Sequence, residues 1–352
     1  MENNYHKEKN IENVKILNEI KYKLPFFCNE YFMGIESRTS ILTRINYARD
    51  LLTFFEFLTQ ETEEFFNNKI QRIEVEDLDK ISVYHIELYQ SYLTMYKKND
   101  NVLTNQEITK SRKISAIRSL LRYFYRKGKI KENIGDKLEM PKIREKEIVR
   151  LDSKEISSLL SEVENGNQLT DKQRDFHKKT LKRDVAMITL MLGTGIRVSE
   201  CVGIDITDIN FNQNAFTVTR KGGKRSILYF SDEVKDALLD YMYERMEMKV
   251  DTNALFLSIQ NKRMCVRSVE NMVKKYAQII TPLKNITPHK LRSTYGTNLY
   301  RATKDIYMVA QVLGHSDVNT TRKHYAAIDE DIKKAASDKV ILKNNDNKNS
   351  EN

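Results

Sequence analysis

The amino-acid sequence predicts a mainly α-helical protein of two domains, with a small antiparallel β-sheet in the second domain. Three observations predict this fold class. Apolar residues recur at the 3.6-residue helical period in segments along most of the 352-residue chain. The period changes to two only around residues 216–229, which is typical of strands. A polar segment at 135–150, which contains Pro141, separates the two helical regions and is typical of an interdomain linker.

The first half of the chain contains three segments with helical periodicity. Residues 1–28 form a polar N-terminal segment, and we expect its first twelve residues to be disordered because they offer few apolar side chains. Amphipathic helices are predicted over 38–60, 82–97 and 108–127. We therefore assign residues 29–134 to the first domain.

The second domain is predicted over residues 151–340. Its segment at 165–182 is polar and is interpreted as a loop, whereas 183–193 is strongly apolar and helical. A β-hairpin with its turn at Gly222 and Gly223 follows, because alternating apolar residues flank this glycine pair. Two more helices are predicted after it, at 231–248 and 266–279. The last residues, 341–352, form a polar tail that we expect to be disordered.

The charge of the chain points to a polyanionic partner. Lysine and arginine exceed aspartate and glutamate by 59 to 49, a net charge of +10. The predicted helix at 108–127 has an apolar stripe on one face and Arg118, Arg122 and Arg126 on another. Such a row suits a DNA phosphate backbone, because each guanidinium can pair with a phosphate. A solvated basic face explains the same pattern equally well.

The compartment indicated by the sequence is the cytoplasm. The N-terminus lacks the apolar core of a secretory signal, and no stretch approaches the roughly 18 apolar residues of a membrane span. The three cysteines are odd in number and far apart, which favours reduced thiols over a disulfide framework.

Two short segments of the second domain place basic residues beside glycines. In GTGIRVSE, Arg197 follows a glycine turn at the predicted start of a helix, and Glu200 lies one short helical step further on. In RKGGKR, Lys221 lies beside the predicted turn of the hairpin. Taken singly, the first segment is most simply a helix cap and the second a solvated turn.

Two further segments carry histidines. In TPHKLR, Thr287 and Pro288 suit the start of a helix, which puts His289 and Arg292 on one face of its first turns, where an anion is favoured. In LGHSD, a glycine that ends a helix precedes His315, and Tyr325 follows ten residues later. A surface cap, a loop histidine and a core tyrosine are the structural alternatives.

The order of these segments resembles the catalytic signature of the tyrosine recombinases, the phage integrase family. GTGIRVSECVGID, TRKGGKR, TPHKLRSTYGTNLY and LGHSDVNTT are similar to the Xer-type pattern, and the resemblance runs from about residue 30 to 340. Within the family, the residues of these motifs resemble the XerS branch most. One departure concerns the tyrosine, which the family pattern places nine residues after the histidine of LGH. Here position 324 is His, and Tyr325 is the tenth residue.

The resemblance implies a fold and a chemistry. It implies a helical SAM-like core-binding domain and a catalytic DNA breaking–rejoining domain, which together close around duplex DNA. It assigns catalysis, without metal, ATP or any other cofactor, to six residues: Arg197, Lys221, His289, Arg292, His315 and the nucleophile Tyr325. The implied partners are a double-stranded recombination site and a homotetramer on DNA. Control by a DNA translocase stays open, as does the target sequence.

The sequence leaves three functions to be compared. The first is a site-specific recombinase that resolves chromosome dimers during cell division through a 3′-phosphotyrosyl intermediate. The second is an integrase of a mobile element, which uses the same residues. Only about 30 residues precede the first long helix, too few for an added arm-binding domain, so we favour the first. The third is a DNA-binding protein without catalytic activity.

Overall fold

The computed structural model describes residues 4–66, 68–98, 100–141, 149–220 and 223–314. The chain divides into two units, Met1–Lys146 and Glu147–Asn352. The division falls within the segment predicted as a linker, part of which lies outside the described residues. None of the helices in the described part of the chain has the length and apolar character needed to cross a membrane.

The first unit is built from helices and one short hairpin. Its described helices are α1 (Asn4–Lys21), α2 (Cys28–Gly34), α3 (Ile41–Glu61), α4 (Val83–Tyr92) and α5 (Glu107–Arg126). Between α4 and α5, strands β1 (Tyr96–Lys98) and β2 (Asn101–Leu103) pair antiparallel. Helices α3 and α5 confirm the predicted segments within a few residues. Helix α4 is shorter than predicted, because Tyr96 already belongs to the hairpin.

The core of the first unit lies around α3. This helix packs against α1 and α5, and its start is capped by Ser40, whose hydroxyl accepts from the Thr43 amide at 3.2 Å. Fully buried aromatic rings fill the space between the helices: Phe54, Phe55, Phe57, Tyr89 and Phe124. Each such ring contributes about 1.5–3 kcal/mol of burial free energy, so this cluster stabilises the packing of these helices.

The expected disorder near the N-terminus is wrong for the described residues from Asn4 onward. They belong to α1, which continues to Lys21 and buries Leu17 against the core. Leu24, just after the helix, is also buried. The apolar side chains that hold this segment come late, after position 12. Because a helix forms cooperatively, they also order the polar turns before them.

The second unit combines seven described helices with a three-stranded sheet. In chain order the elements are α6 (Ser153–Asn165), α7 (Asp171–Thr194), α8 (Val198–Cys201), β3 (Ile209–Asn210), β4 (Ala215–Thr219), β5 (Arg225–Tyr229), α9 (Asp232–Glu247), α10 (Val266–Ile280), α11 (Pro288–Thr303) and α12 (Ile306–Leu313). The sheet is antiparallel in the order β3-β4-β5, and Thr219 lies opposite Arg225 at the end of the predicted hairpin. The helices predicted at 231–248 and 266–279 are confirmed as α9 and α10.

The loop predicted at 165–182 is largely wrong. Gly166 ends α6, but α7 begins at Asp171, where Thr170 and Gln173 form a reciprocal capping box. Polar side chains of this first half of α7 are buried through hydrogen bonds. His177 Nε2, for example, lies 2.8 Å from the Val163 carbonyl oxygen. A helix that buries paired polar groups shows no apolar period, which explains why the sequence pattern misses it.

Candidate active site

The C-terminal end of α12 is the centre of the site that the structure describes. Gly314 caps this helix with a left-handed backbone, φ 61°. The last carbonyl groups of a helix have no partner inside it and carry partial negative charge. Here the carbonyls of residues 311–314 accept hydrogen bonds from three arginines that other elements supply: Arg197, Arg220 and Arg292.

Arg197 is held at the start of α8. Its guanidinium donates from Nη1 to Glu200 Oε1 at 2.7 Å and from Nη2 to the Gly314 carbonyl at 3.0 Å. The Arg197 amide donates to the second Glu200 oxygen at 3.1 Å. The Glu200 side chain is 4% exposed, whereas that of Arg197 is 36% exposed. A buried carboxylate therefore orients a guanidinium whose outer part faces solvent.

Arg292 lies in the second turn of α11 and is only 6% exposed. Its Nη1 donates to the Gly195 carbonyl at 2.7 Å, and its Nη2 donates to the Leu313 carbonyl. The helix begins at the predicted place, with Thr287 in the N-cap position and Pro288 as its first residue, but the Thr287 side chain makes no capping hydrogen bond. His289 belongs to the same helix, three residues earlier, and is exposed. The two predicted catalytic residues of this helix thus differ sharply in burial.

Arg220 follows the last residue of β4. Its Nη2 donates to the Val312 carbonyl at 2.7 Å, and its Nη1 lies 3.4 Å from the Gln311 carbonyl oxygen. Its Nε is buried and has no hydrogen-bond partner among the described residues. Burial lowers the pKa of Arg220, and the neighbouring charge of Arg197 lowers it further, although the Glu200 carboxylate opposes the shift.

Two glycines make this close packing possible. A Cβ atom added to Gly314 would overlap with the Arg220 guanidinium. One added to Gly195, which has φ 62°, would overlap with the Tyr295 ring and would lie 2.9 Å from Leu313 Cδ2. Both residues have backbone conformations that favour glycine. The glycines of GTGIRVSE and LGHSD therefore allow α7, α11 and α12 to meet at the arginines.

The arrangement is suited to binding an anion. Among the described residues, the three guanidiniums lie close together and the Glu200 carboxylate is paired with one of them, Arg197, so the site is rich in positive charge. Planar guanidinium groups match phosphate oxygens in geometry and in charge. No group of three or more His, Cys, Asp or Glu side chains suited to a metal ion occurs within the described ranges.

The structure brings some of the predicted catalytic residues together. Arg197 and Arg292 donate to consecutive carbonyls, those of Gly314 and Leu313. The predicted residues Lys221, His315 and Tyr325 lie outside the described residues, as does the His324 whose position departs from the family pattern.

Sequence reasoning did not single out Arg220. Its position next to Lys221 in the chain was visible, but nothing in the sequence indicates that its partners are backbone carbonyls about 90 residues away. The sequence places Glu200 one short helical step after Arg197, and in the structure the two side chains are hydrogen-bonded.

The predicted DNA-binding row lies on α5 of the first unit. The opposite stripe of this helix is buried as expected, through Ile114, Ile117, Leu121 and Phe124. Arg122 and Arg126 are exposed and Arg118 is partly exposed. Arg122 Nη2 donates to Asp136 Oδ1 at 2.8 Å, and this hydrogen bond lowers the pKa of Asp136. The row therefore faces solvent, and Arg122 is paired with Asp136.

Comparison with known proteins identifies the family. Residues 149–331 match the model of the phage integrase family, and residues 29–128 match that of the phage integrase N-terminal SAM-like domain. The chain belongs to the phage integrase family. Members of this family are tyrosine recombinases, and the chain is accordingly an enzyme that cleaves and rejoins DNA in site-specific recombination. The predicted fold class, a SAM-like helical domain followed by a catalytic domain, is confirmed.

Individual relatives agree with this family assignment. The chain is 30% identical to a tyrosine recombinase XerC of Caldanaerobacter subterraneus, over 92% of this chain and 89% of the relative. It is 31% identical to a tyrosine recombinase XerS of Streptococcus agalactiae, over 92% of this chain and 98% of the relative. A structure of the XerH recombinase bound to a palindromic difH substrate has the same fold. Its TM-score is 0.61 at 19% identity, over 85% of this chain and 80% of that one.

Proposed function

We propose that this integrase-family enzyme resolves chromosome dimers in the cytoplasm, acting as a homotetramer on double-stranded DNA sites. The observation that carries the chemistry is the convergence of Arg197 and Arg292 on the consecutive carbonyls of residues 313 and 314. The likeness to XerC and XerS over most of their lengths supports the biological role. A DNA translocase is a candidate partner that would control the reaction.

The first step of the proposed reaction is attack by tyrosine. The phenolic oxygen of Tyr325 bonds to the scissile phosphorus, and the bond from phosphorus to the 5′ oxygen breaks. The phenolic proton passes to His289. Lys221 gives a proton to the departing oxygen, which leaves as a 5′-hydroxyl. The product is a 3′-phosphotyrosyl bond, and ligation reverses each transfer.

Arg197 and Arg292 would stabilise the charge that gathers on the non-bridging oxygens. Each Nη group of a guanidinium carries two hydrogens, so an arginine that donates to a carbonyl retains N–H groups for a phosphate oxygen. His315 would donate one more hydrogen bond to the same phosphate. Because the phosphotyrosyl bond conserves the energy of the phosphodiester, the proposed reaction requires neither ATP nor another cofactor.

Contacts to the DNA backbone are proposed for Arg118, Arg122 and Arg126. The exposure of this row on α5 supports the assignment, since a phosphate could replace Asp136 as the partner of Arg122. Phosphate contacts of this kind position a protein on DNA but do not read its sequence. Their contribution to binding should therefore fall as the salt concentration rises.

The test is covalent capture of the natural target. Fragmented chromosomal DNA of the source organism is incubated with tagged protein, the mixture is denatured in detergent, and DNA that stays attached is sequenced. We expect the wild type to capture one chromosomal site. Tyr325→Phe should capture none, because it differs only by the attacking oxygen.

Each other outcome favours a different function. Capture at the ends of a mobile element would favour an integrase over a recombinase that resolves chromosome dimers. Binding of DNA without any covalent adduct in the wild type would favour the non-catalytic DNA-binding protein. Cleavage that persists in Tyr325→Phe would refute Tyr325 as the nucleophile.

A further inference from the structure

Arg220 connects two parts of the catalytic unit. Its backbone amide donates to the Lys224 carbonyl at 2.8 Å, and its own carbonyl accepts from the Gly223 amide at 3.1 Å, so both backbone polar groups of Arg220 are held in the hairpin. Its side chain reaches the end of α12, where it donates to the carbonyls of residues 311 and 312. One residue therefore ties the end of β4 to the end of α12.

The chain neighbours of this connection are two proposed catalytic residues. Lys221 follows Arg220 directly, and His315 follows Gly314, against which the Arg220 guanidinium packs. Consecutive Cα atoms are about 3.8 Å apart. Lys221 and His315 are therefore each one residue along the chain from a residue that this connection holds, Arg220 or Gly314. Any displacement of Arg220 would be passed on to Lys221.

Arg220 and Arg197 are held by different partners. Both Nη groups of Arg220 face backbone carbonyls, and its Nε is buried. Arg197, by contrast, is held by a carboxylate and has a side chain that is 36% exposed. Arg197 thus has an exposed part that can meet an external anion, whereas the described contacts of Arg220 connect two elements of the unit.

We propose that Arg220 is a positioning residue, which holds the end of β4 against the end of α12 so that Lys221 is aligned with the leaving oxygen. This inference rests on the proposed function. A misplacement of about 1 Å in a catalytic group can cost on the order of 100-fold in rate. We therefore expect Arg220→Gln to slow strand cleavage about 10- to 100-fold, with DNA affinity changed less than about twofold. Arg220→Lys, which can reach only one carbonyl, should recover part of the rate.

The decisive experiment changes the leaving group. Single-turnover cleavage is measured at saturating DNA, on the captured site with its normal 5′ oxygen and on the same site with sulfur as the bridging 5′ atom. A thiol has a pKa of about 8.5, so a thiolate departs without a proton from a general acid. On the sulfur substrate we expect Arg220→Gln and Lys221→Ala both to approach the wild-type rate. Arg197→Lys, which alters the proposed phosphate clamp, should stay slow on both substrates.

Gly314→Ala gives an independent check on the contact. The new methyl group would overlap with the Arg220 guanidinium and should slow cleavage of the oxygen substrate in the same way. In the double variant with Arg220→Gln the overlap is gone and only the backbone strain of alanine at φ 61° remains, so the two losses should be less than additive. Additive losses would contradict the contact. Thermal unfolding of each variant identifies any that fails to fold.

The results that would refute the positioning role of Arg220 differ from those that would refute the proposed function. If Arg220→Gln is as slow on sulfur as on oxygen, or if its main loss is in DNA affinity, the positioning role is refuted while the wild type still cleaves. If the wild type forms no adduct with either substrate, the proposed function itself is refuted.

Discussion

Replacement of Glu200 by glutamine tests the support of Arg197. The change keeps the shape of the side chain but removes its charge. In the wild type this carboxylate accepts from Arg197 Nη1 at 2.7 Å and from the Arg197 amide at 3.1 Å. Glutamine retains one acceptor oxygen and adds two N–H donors. One of the two hydrogen bonds is therefore lost, because the new amide group would point an N–H at an N–H of Arg197.

The expected magnitude follows from burial. The Glu200 side chain is 4% exposed, and a hydrogen bond to a charged group contributes about 1.5–3 kcal/mol. Removal of one partner of a fully buried ion pair costs about 3–5 kcal/mol, but the Arg197 guanidinium can be solvated at its exposed part. We therefore expect a loss of about 1.5–3 kcal/mol in the free energy of unfolding. For a unit of this size, each kcal/mol lowers Tm by about 2–4 °C.

Urea unfolding monitored by circular dichroism measures the loss, with Glu164→Gln as the matched control. Glu164 is exposed on α6, so the same chemical change there should alter stability by less than about 0.5 kcal/mol. Cleavage should also slow in Glu200→Gln, because Arg197 loses its orientation. If Glu200→Gln and Glu164→Gln were equally stable, the buried contact would not support Arg197, and the reasoning would be refuted.

Three further predictions follow from the fold. Leu17→Ala should lower the free energy of unfolding by about 2–5 kcal/mol in urea titration, because Leu17 is buried where α1 meets the core. A thiol reagent should modify Cys265 rapidly in the native protein, since its hydrogen bond with Ser268 lowers its pKa, whereas burial protects Cys28 and Cys201 until unfolding. Burial raises the pKa of Tyr276, so stability should fall as pH rises above about 10, and Tyr276→Phe should make this fall less steep.

Controls for these three predictions come from the same chain. Ile11 lies on α1 but is half exposed, so Ile11→Ala should change stability by less than about 0.5 kcal/mol. Cys265→Ser should abolish the rapid thiol reaction, and rapid labelling that survives it would contradict the assignment. Tyr243, which is exposed on α9, supplies Tyr243→Phe as the control for the alkaline slope. An equal effect of the two tyrosine variants on that slope would contradict the role of burial.

Helices with a regular apolar stripe were predictable from sequence. Helices α3, α5 and α10 agree with their predicted segments within a few residues, because each buries one face in a core. The cap at Thr287 and the stop at Gly314 were predictable as well, since they depend on local backbone geometry. The order of the motifs was enough to indicate the family, which comparison with known proteins confirms.

Two segments were misread, and for related reasons. Helix α1 is held by apolar residues that come after its polar start. The first half of α7 buries polar side chains in pairs, as His177 does with a backbone carbonyl. In both cases tertiary contacts decide the structure, and a local count of apolar residues does not detect them.

The amino-acid sequence by itself determined which residue types stand at each motif, and therefore the proposed chemistry of arginine, lysine, histidine and tyrosine. Tertiary structure alone decided that Arg197, Arg220 and Arg292 meet at the end of α12. Their partners there are backbone carbonyls. Because every residue carries a carbonyl group, the sequence does not indicate which carbonyls accept from the arginines. Only the folding of four separate segments around Gly195 and Gly314 brings these donors and acceptors within hydrogen-bonding distance.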